Sequence, residues 1–394
     1  MKKKKALKVT LVILIILVAL ICGAVLFWFF APSDMKKDVL KALTKQSVVR
    51  DVIATQVEDD YENNVQDEDF DKDNVAVNED VSKQLTGYQN IAIFGIDSRD
   101  SDFDNGVQSD TIIILSINND TNAIRLASVY RDTYLNIIGS DGSDNGFDKV
   151  NSAYCLGGPQ AAVNTLNLNL DLDITDYVVV NFEGLQDIID LVGGISVNIT
   201  DAEMESANNY IASLAKSTGC EDTPIASSGL VQLSGIQATA YCRIRDAVFY
   251  DEDGNEIHYD YGRTARQRVV LGKLVEKAKK LGATELLSVT KQILNLNTEE
   301  KTVLKTSLTY DQLMDLVPVA IDYNMEKNTG FPFTTLTPHT DGSDYVVAAG
   351  LSYNVSELHK FLFDDGAYDP SQTVLNISDY IKSDTGVPEV KIGE

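Results

Sequence analysis

The chain has 394 residues, 44% of them hydrophobic, which is enough apolar material for one large core or two ordinary ones. Its 59 acidic residues against 33 basic ones give a formal charge of −26. That balance excludes nucleic acid as a partner, because binding a phosphate backbone requires a basic surface. Any anion site must be local, built from a few clustered arginines.

A basic tail, residues 1–8, opens the chain, and an uncharged apolar run from Val9 to Ala31 follows it. At the rise of an α-helix the run spans roughly 30 Å, the thickness of a bilayer core. It exceeds the apolar part of a signal peptide, and FWFFAPS offers no small-residue cleavage site, so it reads as one transmembrane helix. The lysines belong on the cytoplasmic side. The rest is then extracellular, on a single-pass protein of the cell membrane. Residues 32–86 begin as a helix, SDMKKDVLKALTKQSVVRDVI, and continue as the acidic EDDYENNVQDEDFDKDNVAVNED. The acidic part has too few large apolar side chains to order itself and reads as a disordered stalk. DEDFDKDN has the acid density of a calcium loop but lacks the glycine and distal glutamate of an EF-hand.

The folded part begins near Gly87. NIAIFGI, TIIILSI, AIRLASVY, DYVVVNF and GISVNIT are short β-branched runs between turn residues, hence strands. GPQAAVNTLNLNL, EGLQDIIDLVG, TDAEMESANNYIASLAK and GRTARQRVVLGKLVEKAKKLG read as helices, the first with Pro159 at its start. This alternation predicts an α/β fold, a layered α-β-α domain with a mixed central sheet over residues 87–365. Amphipathic stretches between 283 and 363 complete that domain, and 366–394 reads as a loose acidic tail. Cys155, Cys220 and Cys242 show no C-x-x-C spacing, so no zinc signature. Outside the cell Cys220 and Cys242 can pair, leaving Cys155 as a buried thiol.

The chain has no phosphate-binding G-x-x-x-x-G-K-[ST], no G-x-G-x-x-G after a strand and no G-x-S-x-G elbow. His258, His339 and His359 are scattered, which argues against a histidine-dependent hydrolase or a zinc enzyme. What remains is a set of charges at element ends. Asp97 follows one strand and Asp110 precedes the next, Arg131 and Asp132 follow a third, and Lys149 opens a helix. In ATAYCRIRD, alternation along a strand puts Arg243 and Arg245 on one face. YDYGRTARQR places Arg263, Arg266, Gln267 and Arg268 in the first turn of a helix. Arginine forks suit phosphate oxygens, and helix N-termini favour anions. Two carboxylates beside them suit Mg²⁺ held against a pyrophosphate, the arrangement phosphoryl transfer needs.

These residues resemble the LytR–CpsA–Psr family of bacterial cell-envelope proteins. The resemblance rests on FGIDSR, SDTIIILSIN, ASVYRDTY, DKVNSAYCLGGPQ, DYVVVNFEGLQDIIDLVGGISVNI, LSGIQATAYCRIR and GRTARQR, in that order. It implies a phosphotransferase that moves a glycopolymer, such as teichoic acid or capsule, from an undecaprenyl-pyrophosphate carrier to a peptidoglycan hydroxyl through a phosphodiester. It also implies an apolar pocket for the polyprenyl tail. Carried over by position, Asp97 and Asp110 are ligands for Mg²⁺ or Mn²⁺. Arg131, Arg243 and Arg245 act on the reacting phosphates, with Asp260 where the family places its general base. Lys149, Arg263, Arg266, Gln267, Asp132 and Arg99 bind the substrate. Two departures stand out: Gln108 replaces the family's usual arginine, and DAVFYDEDGNEIHYDY is longer than usual, so that Asp246 competes with Asp260 as base. A non-catalytic receptor for lipid-linked saccharides is the alternative, as is a hydrolase with water in place of the sugar hydroxyl.

Overall fold

The computed structural model describes residues 61–393 apart from 63–64, 98–102, 104–105, 282, 299–300, 320–323, 338 and 341–342. The apolar run Val9–Ala31, the helix expected after it and Arg99 lie outside the described residues. Among the described residues, no helix is long and apolar enough to cross a membrane.

Three strands, β1 (Tyr88–Ile96), β2 (Ser109–Asn118) and β3 (Ala123–Val129), form an antiparallel meander. A separate hairpin follows, β4 (Tyr134–Ile138) with β5 (Asp144–Lys149), and then helix α1 (Ser152–Leu170). β6 (Asp176–Asn181) returns parallel to β1, with Ile91 opposite Asp176. Next come α2 (Phe182–Leu191), β7 (Ile195–Ile199), α3 (Asp201–Thr218), β8 (Gly229–Leu233) and α4 (Gly235–Tyr241). A short β9–β10 hairpin (Phe249–Tyr250 and Glu256–Ile257) leads into α5 (Tyr259–Lys280), then α6 (Ala283–Leu294). β11 (Leu304–Thr306) joins β6 antiparallel, and after α7 (Tyr310–Val319) β12 (Asn324–Phe331) joins β3 parallel. Two helices follow, α8 (Leu351–Phe363) and α9 (Gln372–Thr385). The central sheet runs β11-β6-β1-β2-β3-β12, mixed as expected.

Strand alternation builds the layers. Ala92, Phe94 and Ile96 of β1 point to one core, shared with Val163 and Leu166 of α1, Leu358 of α8 and Val374 of α9. Ile91 and Ile93 point the other way, to a core that includes Ile113 and Leu271 of α5. A third core joins α3 and α4 to the β7–β8 ribbon, around Ile199, Ile211, Leu233 and Tyr241. GISVNIT is therefore a strand, but it pairs with β8 rather than joining the central sheet. Within α1 the helix breaks at Gly157 and Gly158, the latter at φ 62°, and Pro159 opens the second half as its missing N–H permits.

Both ends of the folded unit extend past the expected bounds. Tyr61, Val65 and Phe70 are buried, and Tyr61 Oη donates to Leu308 O at 2.6 Å. Gln66 bridges Thr306 in parallel and Asp67 N donates to Thr306 O at 2.7 Å, so this segment covers the open edge of β11. Three apolar side chains and an edge waiting for hydrogen bonds order a stretch whose composition predicts disorder. The expected acidic tail likewise contains α9. Ser371 caps it, and Val374, Ile377 and Ile381 are buried from one face. The Cys220–Cys242 bridge is not formed, since Cys242 keeps a free thiol, and Cys242 rather than Cys155 is the buried one.

Candidate active site

A cavity of about 510 Å³ opens between the sheet and helices α2 and α5. Its inner wall is apolar, with Ile93, Ile113, Val178, Leu185, Leu271 and Leu274. Its mouth is charged, with Asp97, Asp110, Arg131, Arg243, Arg245 and Arg263, beside Gln267.

Backbone geometry places the two aspartates together. Gly95 pairs with Thr111 and Ile96 with Ser109, so Asp110 is the extra residue of a bulge in β2. A Cβ at Gly95 would lie 2.9 Å from Thr111 Cβ, so the close approach needs glycine. Asp97, one residue past β1, lines the same mouth.

From Asp110 a chain of alternating charge runs both ways. Arg131 Nη1 donates to Asp110 Oδ1, Arg131 Nε is 3.5 Å from Asp132 Oδ2, and Lys149 Nζ is 3.0 Å from Asp132 Oδ1. On the other side Arg263 Nη2 donates to Asp110 O at 3.1 Å and lies 2.9 Å from Asp260 Oδ1. Arg245 Nε is 3.4 Å from the same Asp260 oxygen. The order is Lys149, Asp132, Arg131, Asp110, Arg263, Asp260, Arg245. Burial pushes the Arg263 pKa down, opposed by Asp260 and Asp110, and an arginine stays charged nonetheless.

Arg243 is held differently. Its guanidinium lies 4.5 Å from the Phe182 ring centroid and 5.7 Å from that of Tyr210, and among the described residues it makes no ion pair. Ring faces fix its position without neutralising it, so its charge is free to meet an anion. Gln267, one helical turn past Arg263 on the same face of α5, has a buried Oε1 with no hydrogen-bond partner.

Arg266 is the correction. It is fully buried, with Nε donating to Glu203 Oε1 at 2.9 Å, Nη2 to Ala247 O at 2.8 Å and Nη1 to Ile244 O at 3.3 Å. Three residues after Arg263 it points behind the mouth, where it ties α5 to α3 and fixes the turn that carries Arg243 and Arg245. That turn is not a strand end: ATAY belongs to α4, whose start is fixed by Ser234 N donating to Gln237 Oε1 at 3.0 Å. Lys149 ends β5 rather than opening a helix, and Arg263 sits in the second turn of α5. Neither Asp246 nor Asp260 lines the cavity itself; Asp246 accepts a hydrogen bond from Ser206 Oγ, whereas Asp260 pairs with two arginines that do, Arg245 and Arg263. Gln108 is exposed, just outside the mouth, with Asn151 Nδ2 at 3.5 Å. The long insertion before α5 folds as the β9–β10 hairpin. Phe182 and Tyr210, which position Arg243, carry no sequence signal beyond being aromatic.

Two adjoining carboxylates, Asp97 and Asp110, are the donor set a hard divalent cation uses when phosphate oxygens and water supply the rest. Among the described residues, no three His, Cys, Asp or Glu side chains gather to hold a metal by themselves. A cation here would thus share its coordination with the ligand.

Residues 46–360 match the LytR_cpsA_psr family. The chain belongs to the LytR–CpsA–Psr family. Among its relatives, TagU of Bacillus cereus strain AH820, named a polyisoprenyl-teichoic acid–peptidoglycan teichoic acid transferase, is 34% identical over 246 residues, covering 62% of this chain and 68% of that protein. TagU of Bacillus subtilis strain 168, which carries the same name, is 32% identical over 226 residues, covering 57% of this chain and 62% of that protein. The match therefore spans a little under two thirds of the Bacillus subtilis relative. The solved structure of protein gbs0355 from Streptococcus agalactiae shares the fold, with a TM-score of 0.55 and 23% identity over 78% of this chain and 98% of that one. In this LytR–CpsA–Psr chain FGIDSR, SDTIIILSIN, ASVYRDTY, LSGIQATAYCRIR and GRTARQR, distant in sequence, each bring a residue to one cavity mouth.

Proposed function

We propose that the protein transfers a glycopolymer from a polyprenyl-pyrophosphate carrier to a hydroxyl of peptidoglycan, leaving a phosphodiester link. The observation that carries this reading is the cavity's polarity: an apolar interior behind an arginine-rich mouth suits an amphiphile with a hydrocarbon tail and a pyrophosphate head. The names of the Bacillus relatives point to the same donor and acceptor.

The tail enters between the sheet and α5, past Ile93, Ile113 and Leu271. Arg243 and Arg245 meet the pyrophosphate from one side, Arg131 and Arg263 from the other, with Lys149 farther out. Each guanidinium is already positioned, by a carboxylate or by rings, so little reorganisation accompanies binding. A divalent cation between Asp97 and Asp110 would neutralise developing charge on the phosphate oxygens. The acceptor oxygen attacks the phosphorus that bears the glycopolymer. The bond from that phosphorus to the bridging oxygen breaks, and polyprenyl phosphate leaves. Asp260, beside Arg245 and Arg263, takes the hydroxyl proton.

The test supplies a short-chain polyprenyl-pyrophosphoryl saccharide, peptidoglycan oligomers and Mg²⁺ to the full chain in detergent. Polyprenyl phosphate released together with linked product, and lost in Arg243→Ala, supports transfer. Release without linked product indicates hydrolysis, and tight donor binding without turnover on any acceptor indicates a receptor; either rejects the proposal.

A further inference from the structure

A second group of side chains adjoins the mouth on its Lys149 side. Tyr380 of α9 stacks on Phe147 of β5, ring centroids 4.0 Å apart and planes at 19°. Phe147 lies 5.6 Å from Tyr134, and Tyr134 4.9 Å from Tyr345. Lys149 Nζ, the end of the charge chain, is 5.7 Å from the Tyr345 ring. The ledge is pinned to the site by backbone: Val346 N donates to Asp132 O and Tyr134 N to Val346 O, both at 2.9 Å. Tyr380 is 49% exposed although its neighbours Ile377 and Ile381 are buried. One of its ring faces is spent on Phe147.

From these contacts we infer that the ledge Tyr380–Phe147–Tyr345 is a saccharide subsite that seats a sugar ring of the acceptor glycan, one step out from the reacting phosphates. This deepens the reading of the same site and rests on it for the word acceptor. Aromatic faces take the C–H face of a pyranose, and flanking carboxylates take its hydroxyls. Asp148 accepts from Tyr345 Oη at 3.4 Å and Asp384 from Tyr134 Oη at 2.7 Å, so both carboxylates stand at the edge of the rings. Charge selects between the two sugar-bearing partners. The hairpin from Gly139 to Lys149 carries three aspartates and one lysine, and α9 carries two aspartates and one lysine. A polyanionic donor polymer is repelled by that surface, whereas a chain of uncharged amino sugars is not. α9 lies beyond the family match, which ends at residue 360.

The test titrates the full chain in detergent with an uncharged β-1,4-linked amino-sugar oligosaccharide, without donor, and compares Tyr380→Ala, Tyr380→Phe and Arg243→Ala. Expected is binding about tenfold weaker in Tyr380→Ala, the size a lost aromatic contact gives, and unchanged in Tyr380→Phe and Arg243→Ala. A thermal melt checks that α9 stays docked in Tyr380→Ala. In turnover, Tyr380→Ala should raise the acceptor KM alone, with donor KM and kcat unchanged. Equal binding by wild type and Tyr380→Ala, or a loss confined to the anionic donor, overturns the inference. Because the oligosaccharide titration needs no turnover, failed transfer chemistry with intact Tyr380-dependent binding rejects only the proposed reaction.

Discussion

Arg263 and Arg266 sit three residues apart on α5 and do opposite work. Arg263 faces the cavity, where Asp110 and Asp260 hold it although its buried Nε has no partner. Arg266 faces the core of α3 and α4, where Glu203 and two carbonyls give each of its three nitrogens a partner. The same residue type on the same helix is in one case a ligand for something absent and in the other a pillar for the loop that carries Arg243 and Arg245. What separates them is how many of their donors the protein itself satisfies.

The sharpest way to break that contrast is Arg266→Ala. It leaves buried Glu203 with only its cap contacts to Thr200, and breaking a buried ion pair costs about 3–5 kcal/mol. Chemical denaturation should show that loss, and Arg266→Ala combined with Glu203→Ala should recover part of it. If Arg266→Ala melts like wild type and loses only donor binding, Arg266 belongs to the mouth after all. Arg263→Ala should do the reverse, with a small shift in melting and a transfer rate lower by roughly 10²–10³, the effect of removing a preorganised donor. A rate within twofold of wild type would remove Arg263 from the phosphate site.

The scaffold side also carries a titration. Asp173, between α1 and β6, has its pKa pushed up to about 6 by burial, against the 2.7 Å hydrogen bond it accepts from Asn90 Nδ2. Between about pH 4 and pH 6 the folded chain keeps this proton and the unfolded chain releases it. Stability therefore falls as pH rises through that window and stays lowered above it. Asp173→Asn should add about 1–2 kcal/mol at pH 7.5 and flatten the profile, after a discount for partial exposure. A variant that loses stability at pH 7.5 would show that Asp173 makes a favourable charged contact instead. The smallest expected effect is Gln108→Arg, which adds one exposed cation outside the mouth. Donor affinity should rise a few-fold at low salt, under about 1 kcal/mol, and return to the wild-type value at high salt. A salt-independent gain would place residue 108 inside the phosphate site.

Four of the six central strands, β1, β2, β3 and β6, were legible because they are continuous β-branched runs, whereas β11 (Leu304–Thr306), only three residues long, and β12 (Asn324–Phe331), largely polar, were hidden in a stretch that reads as amphipathic helices. Asp97, Asp110 and Arg131 were legible for the same reason: each stands where such a run ends. Less visible was the context of ATAYCRIR, where four small or aromatic residues read equally well as strand or helix, and the Ser234–Gln237 cap decided for α4. The ordering of Tyr61–Phe70 and of α9 was hidden too, since both bury only three large apolar side chains and depend on a partner surface elsewhere in the chain. Arg266 was misjudged because its partner Glu203 lies 63 residues away.

The measurement closest to the central claim is donor-head and donor-tail binding by the full chain in detergent. A short polyprenyl pyrophosphate, the matching polyprenyl alcohol and inorganic pyrophosphate would be titrated into wild type and Arg243→Ala. The account predicts tight binding only for the molecule with both head and tail, and a loss on the order of a hundredfold in Arg243→Ala for that molecule alone. Equal affinity for the alcohol, or the same affinity in Arg243→Ala, would contradict the assignment of the arginine mouth to a lipid-linked pyrophosphate.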